Sequence, residues 1–77
     1  MITVLRLDCG DAALVVNQTL VGTADPDYEN PASLEGLAER LAGALTAPLA
    51  ILALPTPPEA DWNWDAVLAD LVQAGRV

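Results

Sequence analysis

Asp25, Asp27 and Glu29 occupy alternate positions of ADPDYEN, residues 24–30, with no basic residue among them. Carboxylates at this spacing match the first, third and fifth ligand positions of an EF-hand calcium loop. The remainder departs from that pattern. The sixth position, which needs glycine for a sharp turn, is Asn30, and the twelfth, which needs a bidentate glutamate, is Gly36. The stretch therefore offers a weak cation site, a solvated loop, or part of a surface built to be negative.

Nucleophilic chemistry has less to work with. Cys9 and Ser33 are nucleophile types, but the chain has no histidine and no lysine to activate them. Cys9, the sole cysteine, lies between Asp8 and Asp11 and reads as a turn or small core residue. Paired carboxylates can catalyse hydrolysis, yet 77 residues leave little room for a deep cleft. Glycine-rich phosphate loops and zinc-type Cys/His spacings are missing from the sequence. The expectation is a non-enzyme that needs no cofactor and no metal.

Charge is the dominant signal. Eleven Asp and Glu stand against three Arg, a formal net charge of −8. Such a chain repels nucleic acid and anionic membranes, so a basic protein surface is the expected partner, with no direct nucleic acid and no membrane. The bland alternative is that the charge only keeps the protein soluble. The acids fall in groups. Asp25, Asp27 and Glu29 precede a first helix, Glu35 and Glu39 lie on its outer side, and Glu59, Asp61 and Asp65 crowd the entry to a second. If both helices cover the same sheet face, their starts meet and the carboxylates merge into one patch. That patch would imitate a run of backbone phosphates and attract an Arg/Lys groove. Trp62 in DWNWD is a second candidate contact, because two tryptophans two residues apart around a helix start do not both turn inward. Otherwise Trp62 staples onto Val67 while Trp64 enters the core.

The elements that position these residues follow from periodicity. MITVLRLD places Thr3, Leu5, Leu7 and Cys9 on one face and Ile2, Val4, Arg6 and Asp8 on the other. Gly10 supplies a turn, and Asn17-Gln18 a two-residue hairpin, although Gln is a poorer second member than Gly. A three-stranded meander over residues 2–24 results. Asn30 caps and Pro31 opens a helix whose stripe is Leu34, Leu37, Leu41 and Leu45 with Ala38 and Ala44. Gly36 and Gly43 would let it pack closely on the sheet. PLAILALP, apolar on both faces, suits a strand in the sheet interior rather than an edge. Asn63 caps the last helix, with Trp64, Val67, Leu68, Leu71 and Val72 inward and Gly75 closing it. The fold class is α+β in the order β-β-β-α-β-α: one four-stranded, mainly antiparallel sheet with two helices packed on it, a single small acidic domain over residues 1–77.

The N-terminus lacks the pattern of a signal peptide, and the longest apolar stretch is interrupted by Thr46 and Pro48, so a cytoplasmic protein is expected. In its size, its charge and its DWNWD ending the chain resembles the small acidic anti-CRISPR proteins of phages and mobile elements that inhibit type I surveillance complexes. The resemblance implies a non-catalytic inhibitor, a monomer or weak homodimer in the host bacterial cytosol. It would occupy basic nucleic-acid-binding residues of a Cas subunit and so block target DNA. The alternative is an accessory or assembly protein of a mobile element, antitoxin-like or homo-oligomeric, that pairs through an apolar patch or a sheet edge.

Overall fold

The computed structural model describes residues 1–25 and 31–77. Strands β1 (Ile2–Leu7), β2 (Ala12–Val16) and β3 (Thr19–Ala24) form the expected meander, followed by α1 (Pro31–Leu45), β4 (Leu49–Leu54) and α2 (Trp64–Gln73). The hairpin between β2 and β3 turns on Asn17 and Gln18, both left-handed at φ 49° and 69°. A two-residue hairpin needs that conformation to match the strand twist. The sheet order is β3-β2-β1-β4, antiparallel at both meander pairs and parallel between β1 and β4. The α+β class and element order are as the periodicity predicts, with a mixed sheet.

β4 lies at an edge of this sheet, not in its interior. Its run is apolar on both faces because both faces are partly covered, not because strands flank it on both sides. Leu49 belongs to one core cluster, and Leu52 and Leu54 to the other. The interior strands are β1 and β2, where Ile2, Val4 and Leu5 of the first and Leu14 and Val15 of the second are fully buried.

The two clusters take alternate residues from the same strands. Ile2 and Val4 of β1 and Leu14 of β2 pack with Leu34, Ala38 and Leu41 of α1. Leu5 of β1 and Ala13 and Val15 of β2 pack with Trp64, Leu68 and Leu71 of α2. Successive strand residues point to opposite faces, so the helices cover opposite sides of the sheet. Full burial of a Leu, Ile or Val contributes about 1.5–3 kcal/mol, and this layering lets one short sheet bury both of its faces.

Helix α1 does not bury its whole leucine stripe. Leu34, Ala38 and Leu41 face the sheet, while Leu37 and Leu45 are 45% and 60% exposed. Gly36 and Gly43 permit no close approach, since a Cβ at either would meet nothing within 4 Å. At Gly22 of β3 a Cβ would make only an ordinary contact, 3.8 Å from Leu34 Cδ1. The Asn30 cap lies outside the described residues. Asn63 caps α2, its Oδ1 accepting from the Ala66 amide at 2.8 Å. Gly75, at φ 72°, closes the far end as the amides of Gly75 and Arg76 donate to Val72 and Leu71 carbonyls.

Candidate functional site: the acidic end of the sheet

β2 runs against β1 and β3, and β4 runs with β1, so β1, β3 and β4 all point the same way. Each delivers acidic residues as it ends. Asp8 and Asp11 frame the turn after β1, Asp25 follows β3, and Glu59 and Asp61 lie in the connection after β4. A helix that follows a strand sets out from the end where that strand finishes. The start of α1 is held there by an ion pair, Arg6 Nη1 to Glu35 Oε1 at 3.1 Å. At the opposite end the Asn17-Gln18 turn, the Thr46-Ala47-Pro48 connection and the Ala74–Val77 terminus contain no Asp or Glu. Side-chain charge is therefore graded along the strand direction.

The candidate residues distribute unevenly over this end. Asp25 is exposed, whereas Asp27 and Glu29, and with them the proposed cation loop, lie outside the described residues. Glu35 is half-buried and matched by Arg6, which removes much of its value to a partner. Glu39 is exposed one turn further along α1. Glu59, Asp61 and Asp65 are exposed, the last in the first turn of α2, where the helix dipole favours it. Because the helices occupy opposite faces, Glu39 and Asp65 are separated by the sheet and do not form one flat patch. Asp65 lines a groove with Gln18, whose turn lies at the other end of the sheet, so the acids of the acidic end are Asp8, Asp11, Asp25 and Glu35, with the connection that carries Glu59 and Asp61.

On the α2 side the connection folds into a groove of about 270 Å³ whose lining includes Glu59, Asp61, Trp62, Val67 and Asp70. Trp62 is half-buried, its ring set edge-on to Trp64 with centroids 5.3 Å apart and planes at 88°. Aromatic pairs favour this geometry over face-to-face stacking. Trp64 enters the core, and Trp62 presents its remaining surface beside three carboxylates. Asp70 was not legible as part of this group. It follows Ala66 by one helical turn, but the folding-back of the connection has no local sequence signal.

Asp8 also has a role that the turn pattern does not reveal. Its Oδ1 accepts from the Thr56 amide at 3.0 Å and from the Thr56 hydroxyl, and the Cys9 amide donates to Thr56 Oγ1 at 3.1 Å. These bonds, led by the Thr56 hydroxyl, hold the Asp8 carboxyl below its ordinary pKa. Asp8 thus clips the exit of β4 to the turn after β1. Cys9 and Ser33 are exposed. Among the described residues no group of three or more His, Cys, Asp or Glu is arranged to hold a metal ion. No described helix is long and apolar enough to cross a membrane.

No protein family, curated protein or solved structure matches the chain.

Proposed function

We propose that the protein is a non-catalytic inhibitor that docks its acidic end onto a basic, nucleic-acid-binding protein surface. The partner we favour is a Cas subunit of a type I CRISPR surveillance complex in the bacterial cytosol. The observation that carries this reading is the delivery of carboxylates by three co-directed strands to one end of the sheet, with none in the turns at the other. An Arg/Lys groove that ordinarily tracks phosphates would be steered to that end by its field.

Magnitudes decide what else is needed. Exposed ion pairs contribute about 0.2–1 kcal/mol each, so some five of them supply about 1–5 kcal/mol. Micromolar affinity requires about 8 kcal/mol. The carboxylates therefore govern encounter and orientation, and an apolar anchor must supply the difference. Trp62, half-buried beside Glu59, Asp61 and Asp70, is placed to be that anchor.

The reading is tested by titrating the protein into a purified type I surveillance complex and measuring capture of its target DNA duplex. Loss of DNA binding that weakens as salt rises is expected. Undiminished DNA binding at a large excess of the protein would overturn the assignment. The alternative reading, an assembly module, draws on the apolar edge strand β4 rather than on the acids.

A further inference from the structure

We infer that β4 is a self-association edge, pairing antiparallel with β4 of a second copy about a two-fold axis centred on Ile51. This stands independently of the acidic end. The carbonyls of Pro48 and Leu54 accept from the amides of Ile2 and Asp8 at 3.0 and 3.1 Å, so even-numbered β4 residues turn their backbone groups toward β1. Alternation then turns the amides and carbonyls of Leu49, Ile51 and Ala53 outward, along an edge that has no neighbouring strand among the described residues.

The devices that usually blunt an edge are missing from this one. Leu49–Leu54 reads LAILAL, with no charge, no proline and no register shift against β1. The other edge is protected: β3 carries a bulge, with Leu14 opposite Gly22 and Val15 opposite Leu20, leaving Val21 unpaired in the ladder. Ile51 is 53% exposed on the open edge, beside exposed Ala53.

The strand is complementary to itself in one register. With Ile51 opposite its copy, Leu49 meets Ala53 of the second chain and Ala50 meets Leu52, so large residues face small ones. All three outward residues then form hydrogen-bonded pairs, each exchanging two backbone bonds. Pro48 and Pro55 bracket the run, and the missing amide of Pro55 disfavours a shift that would place it in the ladder. Charge selects the antiparallel arrangement. Two chains of net charge −8 repel, but opposed strands send their acidic ends to opposite extremes of the joined eight-stranded sheet.

Sedimentation equilibrium of the intact chain from about 1 µM to 1 mM, a span that covers weak dimers, tests this. The mass is expected to rise from 8.0 kDa toward twice that value, and more readily at high salt, where repulsion is screened. Ile51→Lys, which places like charges opposite each other, should weaken the dimer at least about tenfold while circular dichroism stays unchanged. Ala53→Lys, at an exposed site, gives the same result should Ile51→Lys fail to fold, and Val21→Lys on the other edge should leave the dimer intact. A monomer at every concentration, or a dimer indifferent to both β4 variants, or one lost equally with Val21→Lys, would overturn the inference.

Discussion

Asp8 and Thr56, 48 positions apart in sequence, form a clip in which one carboxylate oxygen receives both the amide and the hydroxyl of the threonine. It joins the end of the interior strand β1 to the exit of the edge strand β4, and so sets where the Glu59 and Asp61 connection departs. The Asp8 carboxyl is held below its ordinary value of 3.8 in the fold, by the Thr56 hydroxyl first and the Thr56 amide second, a constraint the unfolded chain lacks. As pH falls through the interval between the unfolded and folded values the unfolded chain takes up the proton first, so the clip's contribution is complete above about pH 4 and is lost below it. Urea titrations at a series of pH values should show wild type losing more stability between about pH 5 and pH 3 than Thr56→Val does, because only wild type has the clip to lose. In that variant the extra acid sensitivity from Asp8 is reduced, and an unchanged pH dependence would count against the clip.

Thr46 closes α1 in the left-handed region at φ 51°, where the amides of Thr46 and Ala47 donate to Gly43 and Ala42 carbonyls. Glycine normally takes this position, and a side chain there costs about 1–2 kcal/mol. Thr46→Gly should therefore raise stability by about 1 kcal/mol in urea titration. Gly36→Ala and Gly43→Ala, with open space around the added methyl, should each add about 0.5–1 kcal/mol through helix propensity.

Leu14 and Leu45 separate packing from pattern. Both are leucines in regular elements, yet Leu14 is fully buried and Leu45 is 60% exposed. Leu14→Ala should cost about 2–5 kcal/mol, a large share of the few kcal/mol that hold a domain of this size. Leu45→Ala should fall within about 0.5 kcal/mol of wild type in the same urea titration.

The local signals in the sequence were strong enough to place all the elements. Asn17-Gln18 marks the hairpin, Asn63 and Gly75 bracket α2, and the alternation of ITVLRL is that of a strand. What escaped was set by packing between distant segments. The apolarity of LAILAL is the same whether strands or helices cover it, so β4 was expected inside the sheet and lies at its edge. Likewise the stripe through Leu37 and Leu45 has helical spacing, but the face of α1 that meets the sheet is the one through Leu34, Ala38 and Leu41. The acids of the candidate site were visible as composition. Their gathering at one end depends on strand direction, which no short-range pattern encodes, and so Asp8 and Asp70 were passed over.

Asn63 supplies a smaller check on the groove. Replacing it with alanine removes the bond to the Ala66 amide and should cost about 1 kcal/mol. The Trp62–Trp64 pair sits on this cap, so its near-ultraviolet dichroism should weaken in Asn63→Ala at temperatures where the far-ultraviolet signal is retained.

The most direct test compares two variants of equal net charge, −5, against the surveillance complex. One neutralises the acidic end with Asp25→Asn, Glu59→Gln and Asp61→Asn. The other adds three positive charges at exposed positions near the helix C-termini with Ala44→Lys, Gln73→Lys and Ala74→Lys. If the acidic end is the docking surface, the first variant should lose at least about tenfold in affinity, as the loss of some 1.4 kcal/mol would produce, and the second should bind nearly as wild type. Equal losses in the two variants would show that only net charge matters, and would contradict the account.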